Sequence, residues 1–447
     1  MERDFLELLG RLIALRSISA EPTCAPILAE TAEVLRQFLI GCGFSASLHE
    51  NYGPGPILTA ECGPRDAPLS VLLYGHYDVQ PPEPMDLWRA EPFALQEFDG
   101  TFYGRGIADD KGPMLLMLWE LCKMRPNSSP VRTVVLLEGG EEVGSPGFAD
   151  FLRAQRSQLA ANATLIVDSG CPDNGIPALT TGLRGIISFE IHLRTGEREL
   201  HSGFGGCIPN AVQELVKLCG RLHEESGRVA VPNFYENVAM PSGEELAAFR
   251  SEQERDPIPQ KAFAVTYLRN IFPPLLPRSV HALLPSLEFH GISGGYQGPG
   301  NKNIIPAEAS AKFSIRLVPN QDPEFVRDAV EKFLRKNVPP HVSEMSVHAS
   351  TPSQSYAIDW TSASPAYITL FRAMEVSLQE SFSAKPLHLR EGGSIGVVGA
   401  FKEILGIDSI LVGVVPPSSN IHGPNENWQI DTMKKAQRAL ASFREIF

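Results

Sequence analysis

No stretch of the chain approaches the roughly 18 consecutive apolar residues that a membrane-spanning helix needs. A secretory leader is not expected either. Phe5, Leu8, Leu9, Leu12 and Ile13 fall on one helical face, but Glu2, Arg3, Asp4 and Arg11 interrupt any apolar signal core. Basic residues are in deficit: 39 Lys and Arg stand against 52 Asp and Glu, a formal charge of −13. A nucleic acid or an anionic membrane would need a basic face, so neither is expected as a partner. The 7 cysteines, at positions 24, 42, 62, 122, 171, 207 and 219, include no Cys-x-x-Cys pair. Scattered and odd in number, they are expected as reduced thiols of a cytoplasmic protein. Three catalytic signatures are also missing. His223-Glu224 is followed by Glu225-Ser226-Gly227, so there is no His-Glu-x-x-His helix. Neither a phosphate loop of the Gly-x-x-x-x-Gly-Lys-Ser/Thr type nor a Gly-x-Ser-x-Gly elbow before a helix is present.

What the chain does have is the composition of a folded protein, 43% hydrophobic and 20% charged over 447 residues. That length exceeds the size at which a single core usually keeps growing, so two domains are expected. Four short runs, Leu69 to Tyr74, Thr133 to Leu137, Thr164 to Val167 and Ser409 to Val415, are rich in Val, Leu and Ile. Such runs are too short for a typical helix and read as strands buried on both faces. Helical patterns at Pro113 to Met124, Phe148 to Leu159, Ala366 to Leu378 and Thr432 to Ile446 lie between or after them. Alternating strands and helices predict an α/β domain with a mostly parallel sheet covered by helices on both faces.

The middle of the chain has a different period. Ile187, Phe189, Ile191 and Leu193 alternate with polar neighbours, as do Ala311, Phe313, Ile315 and Leu317. Period-two alternation predicts a sheet with one covered face, an α+β module. The larger domain is therefore expected over 1–185 and 353–447, with the smaller inserted over 186–352. A Pro-rich stretch from Met240 to Pro285 carries no readable pattern.

Each of the four apolar runs leads into residues that bind metals. Leu69–Tyr74 runs into Gly75-His76-Tyr77-Asp78, Thr133–Leu137 into Glu138-Gly139-Gly140-Glu141-Glu142, and Thr164–Val167 into Asp168; His422 follows Val415. A lone acidic residue after a strand is usually a helix cap or a turn former. Four strand ends, two of them carrying histidine, aim these groups at one crevice beyond the sheet, where ligands of open parallel sheets sit. His76 and Asp78 point the same way, so one can bind metal while the other supports it. The Gly104-to-Gly112 loop carries paired aspartates, which repel phosphate and suit divalent cations. Glu141 and Glu142, read as adjacent on an extended segment, are expected to diverge: one carboxylate to a metal, its neighbour to the attacking water.

At these residues the sequence resembles the co-catalytic zinc peptidases, the family of carnosinase-type dipeptidases, glutamate carboxypeptidase and acetylornithine deacetylase. Nearly the whole chain is covered, and the likeness is closest to the dipeptidase branch. It rests on Gly75-His76-Tyr77-Asp78-Val79-Gln80-Pro81, Gly104-Arg105-Gly106, Asp109-Asp110-Lys111-Gly112, Gly139-Gly140-Glu141-Glu142, Leu200-His201-Ser202-Gly203, Phe313-to-Pro319 and Arg390-Glu391-Gly392-Gly393-Ser394-Ile395. The resemblance implies that Asp109 bridges two metals, with His76 and Asp168 completing one site and Glu142 and His422 the other. Asp78 would orient His76, and Glu141 would be the general base. A cis peptide would join Asp109 to Asp110. His201, in a lid and dimerisation domain, would reach the active site of a partner subunit in a homodimer and stabilise the oxyanion there. Arg316 would grip a substrate carboxylate, and Gly393 and Ser394 would cradle one. Asn303 stands where the dipeptidases tend to carry a hydroxyl residue.

These features together predict metal-dependent hydrolysis of the amide bond of dipeptides or short peptides, by a water activated between two divalent ions. Histidine and carboxylate ligands suit zinc, with manganese or cobalt as alternatives. The rival readings are a deacylase of N-acyl amino acids, of acetylornithine or succinyl-diaminopimelate type, and a binding protein that has lost catalysis. Retention of all five ligands and both acidic catalytic residues speaks against the second.

Overall fold

The computed structural model describes residues 2–121, 131–172, 175–238, 243, 246, 268–273, 275, 277–393 and 395–445. The chain divides into two compact units, one of residues 1–181, 358–389 and 395–447, the other of residues 182–357 and 390–394.

The first unit is built on β1 (Ser45–His49), β2 (Ile57–Cys62), β3 (Leu69–His76), β4 (Val131–Glu138), β5 (Ala163–Gly170), β6 (Ala178–Leu183), β7 (Leu387–Glu391) and β8 (Ser409–Val415). Their order across the sheet is β1-β2-β4-β3-β5-β8-β6, with β7 also on β6. The four apolar runs form its centre. There β4, β3, β5 and β8 pair in parallel, while the flanking pairs β1/β2, β2/β4 and β8/β6 are antiparallel. Every residue of β4 and β8 is buried, as expected of strands covered on both faces. The helix Lys111–Leu121 is apolar all round and almost wholly buried, the pattern of a helix inside a core. It begins earlier than the apolar run at Pro113 suggests, because the Met114 N–H already bonds the Asp110 carbonyl at 2.8 Å. The expected extension to Met124 lies outside the described residues. Phe148–Ala154 is shorter than its pattern, while Pro365–Phe382 and Ile430–Arg444 run close to theirs. No helix among the described residues is long and apolar enough to cross a membrane.

In the second unit the strands Ser286–Gly294, Glu308–Leu317, Gly185–Arg194 and Glu344–Ala349 form, in that order, an antiparallel sheet. Its covered face is the alternating set read from the sequence. Ile187, Phe189, Ile191, Leu193, Ala311, Phe313, Ile315 and Leu317 join one core with residues of the helices Ala211–Gly220 and Pro323–Asn337. Phe189 and Phe313 face each other across the strands and stack at 4.9 Å. Most of the Met240-to-Pro285 stretch lies outside the described residues; within it Pro277–Leu283 is helical.

Candidate metal centre

The parallel strands deliver charged groups where their ladders stop. β3 ends on His76, and Asp78 follows two residues later. Asp78 Oδ1 lies 3.4 Å from His76 Nδ1. Its two oxygens also accept the backbone N–H groups of Glu141, at 3.2 Å, and Glu142, at 3.0 Å. One buried carboxylate thus orients the histidine and clamps the segment that carries two glutamates.

That segment corrects the sequence reading. Glu141–Val143 is a single 3-10 turn, not an extended stretch. Asp78 holds its first two N–H groups, and Gly144, left-handed at φ 84°, closes it by donating to the Glu141 carbonyl at 2.8 Å. The carboxylates separate all the same. Glu142 Oε2 stands 3.2 Å from His422 Nε2 and accepts a hydrogen bond from Gln80 Nε2 at 2.9 Å. Glu141 sits within the fields of His76, Asp109, Glu142 and Asp78. Glu138, the last residue of β4, turns elsewhere: it accepts from the Tyr74 hydroxyl at 2.7 Å and Ser145 Oγ at 3.0 Å.

Asp109 occupies the middle of the arrangement. Its Oδ1 is 3.0 Å from His76 Nε2 and its Oδ2 is 2.9 Å from His422 Nε2. Asp168, near the end of β5, brings Oδ2 to 3.8 Å from His76 Nε2. Two groups result, His76–Asp109–Asp168 and Asp109–Glu142–His422, each with its donor atoms within 4.8 Å of one another. A tetrahedral ion with arms of about 2.1 Å has donor–donor edges of about 3.4 Å. The spacings of 2.9 to 3.8 Å scatter around that edge. One imidazole nitrogen and carboxylate oxygens per group, with one carboxylate common to both, is a donor set that fits two divalent cations. The Asp109–Asp110 peptide is cis.

Burial and mutual repulsion shape the electrostatics. Burial pushes the Glu141 carboxyl up to about 7, with Asp109, Glu142 and Asp78 adding to the effect. Burial, then Asp110 and Asp109, raise Asp168. Hydrogen bonds to Asp109 and Glu142 lift His422 to about 10. His76 is raised as well: burial opposes its charge, but Asp109 and Asp78 outweigh it. Cation binding to a cluster of this kind displaces protons.

Three neighbours escaped the sequence reading as site residues. Gln80 steadies Glu142. Arg105 and Glu426 form a buried ion pair of 2.7 Å between positions 321 residues apart. An acid within Asn425-Glu426-Asn427 looks like a solvated turn, and nothing local in the sequence separates it from one.

The remaining predicted residues belong to the second unit. His201 pairs with Ile304, and the Asn303 carbonyl accepts from Ser202 N–H at 3.0 Å, so His201 and Asn303 are neighbours. His201 is exposed, and its Nδ1 accepts the Gly203 N–H at 3.0 Å. Arg316 is half-buried on the strand Glu308–Leu317. Arg184 lies within its field and holds the 392–393 turn, donating from Nε to the Gly392 carbonyl and from its backbone N–H to that of Gly393. Ser394 lies outside the described residues.

Two three-residue groups that could each hold a metal ion, sharing one aspartate, stand where the central strands of the sheet end, an arrangement that fits a metal-dependent hydrolase. The chain belongs to peptidase family M20/M25/M40, whose profile matches residues 72–445. It is 30% identical to the Cys-Gly metallodipeptidase DUG1 of Candida albicans, over 100% of this chain and 95% of that protein. It is also 30% identical to the Beta-Ala-His dipeptidase of Rattus norvegicus, over 83% of this chain and 75% of that one. Among solved structures, the M20 family metallo-carboxypeptidase Sso-CP2 from Sulfolobus solfataricus matches with a TM-score of 0.88 and 28% identity, covering 100% of this chain and 99% of its own. The protein is a hydrolase of this metallopeptidase family, and its relatives favour the peptidase reading over the deacylase one.

Proposed function

We propose that this chain hydrolyses the amide bond of dipeptides or short peptides at a centre of two divalent cations, with zinc the native metal. The observation that carries the reading is Asp109, one oxygen beside each histidine. His76, Asp109 and Asp168 hold one cation; Asp109, Glu142 and His422 hold the other. Cations held there would polarise the scissile carbonyl and make a water nucleophilic near neutral pH. Glu141 takes the proton of that water and passes it to the leaving amine. Asp78 keeps His76 in orientation. The names of the relatives, a Cys-Gly and a Beta-Ala-His dipeptidase, support a dipeptide as substrate.

His201 donates to the oxyanion. Because its Nδ1 accepts from Gly203, the neutral ring carries its proton on Nε2, free to point outward. Arg316, with Asn303, Gly393 and Ser394, binds the substrate's polar groups, the guanidinium taking its carboxylate. The second unit serves as lid and dimerisation domain. Support for a homodimer comes from the edge strand Ser286–Gly294, which among the described residues is paired on one side only, with Ile292 53% exposed. The six described cysteines form no disulfide with one another, which supports a reducing, cytoplasmic location.

The test is a panel of dipeptides against N-acetyl and N-succinyl amino acids, run on metal-stripped protein and after zinc is returned. Dipeptides are cleaved only by the reloaded protein. Cleavage that survives a strong chelator refutes the metal mechanism, and preference for the acyl substrates restores the deacylase reading. Sharing of His201 across subunits is checked by mixing His201→Ala and Glu141→Ala chains, each inactive alone. Mixed dimers regain activity, because one site then has both groups intact; no recovery means His201 does not act in trans.

A further inference from the structure

The Arg105–Glu426 pair ties the loop that carries Asp109 to the loop that carries His422, and both to Pro81. Glu426 is completely buried, and both of its oxygens are filled. Oε2 accepts from Arg105 Nη1 at 2.7 Å and Gly106 N–H at 3.0 Å. Oε1 accepts the N–H groups of Ala108, at 2.8 Å, and Asp109, at 3.1 Å. The carboxylate therefore grips the loop backbone up to the residue that carries the shared ligand. Arg105 works in the other direction. Its Nη2 donates to the carbonyls of Pro81, at 3.1 Å, and of His422 and Gly423, both at 3.3 Å.

His422 needs such support. His76 lies in a paired position on β3, opposite Glu138, and Asp168 lies on β5 between the paired residues Ile166 and Ser169. His422 has no ladder. It sits in an irregular loop with its side chain 53% exposed and its backbone left-handed at φ 63°, between Asn420 at 53° and Asn425 at 60°. A non-glycine residue in that region is uncommon and persists where surrounding contacts over-determine it.

We propose that Arg105 and Glu426 are positioning residues that set the spacing between Asp109 and His422, and with it the affinity of the Asp109–Glu142–His422 group for its cation. The proposal rests on the two-cation reading above. Its consequence is unequal: weakening the pair loosens two of the three residues of the Asp109–Glu142–His422 group, and only Asp109 of the group completed from β3 and β5. Neither residue touches a cation or substrate; both act through backbone.

The experiment is a titration of metal-free protein with zinc ions against a competing chelator of known affinity, for the wild type, Glu426→Gln and Arg105→Lys. Glutamine offers one acceptor oxygen where four donors converge and leaves the buried guanidinium without a counterion. Lysine keeps the charge and loses the planar fork. Both variants are expected to bind the second equivalent about 10- to 100-fold more weakly, the usual effect of removing support behind metal ligands, and the first with a distinctly smaller loss. Cobalt(II) replacing zinc reads the same difference as a larger change in the visible absorption of the second equivalent than of the first. Equal affinity for both equivalents in the variants and wild type overturns the proposal, as does equal weakening of both. Circular dichroism checks the fold; if Glu426→Gln does not fold, Arg105→Lys decides, and failure of both assigns the pair a purely structural role and overturns the proposal. A wild type that never takes up a second equivalent sinks the two-cation reading instead, before either variant is measured.

Discussion

Replacing Glu141 with glutamine lowers kcat on a dipeptide by about 10²- to 10⁴-fold, the range expected when a general acid–base group is removed, and leaves two ions bound. The amide has nearly the same shape as the carboxyl, and neither group of candidate ligands contains Glu141. What it lacks is a site for a proton. Metal content by elemental analysis, measured beside steady-state kinetics, separates this outcome from simple loss of the centre. Near-normal turnover with two ions present would remove Glu141 from the mechanism.

The same residue fixes a sign for pH. Its carboxyl is held up, to about 7, first by burial and then by its acidic neighbours. A general base acts in its deprotonated form, so activity rises as pH climbs through this value and falls as pH drops below it. Because burial is the first cause of the shift, the acid limb of the wild-type profile is expected above that of a solvated glutamate.

Asp109→Ala is expected to be more severe in binding. One substitution takes a ligand from both groups, so the purified variant holds less than one ion per chain and hydrolysis falls to the limit of detection. The fold survives, because Glu426 grips the backbone N–H groups of residues 106, 108 and 109, which alanine retains. Elemental analysis with circular dichroism reads both statements. Two ions retained by a folded Asp109→Ala chain would mean that Asp109 is not shared.

The parts of this account that the sequence carried are those with a short physical signature. Runs such as Thr133 to Leu137 reveal buried parallel strands because both faces must be apolar, and a histidine or acid just past such a run is conspicuous. Alternation at Ile187 to Leu193 gave the covered face of the second sheet for the same reason. Glu141 and Glu142 were misread as extended because the alternation rule assumes a strand, whereas Asp78, 63 positions away, folds them into a turn through their N–H groups. Glu426 was invisible for a related reason. Its meaning lies in donors more than 300 residues distant, and a buried carboxylate and a solvated one are spelled alike. The bounds of Lys111–Leu121 shifted because a helix begins at its first backbone bond, not at its first apolar residue.

The most direct test of the shared-aspartate centre is a crystal of the zinc-loaded protein with anomalous scattering at the metal edge. Two peaks are expected, about 3.5–4 Å apart as in other paired-metal sites, with one oxygen of Asp109 on each, His76 and Asp168 completing the first and Glu142 and His422 the second. A single peak, or two peaks away from Asp109, would contradict it.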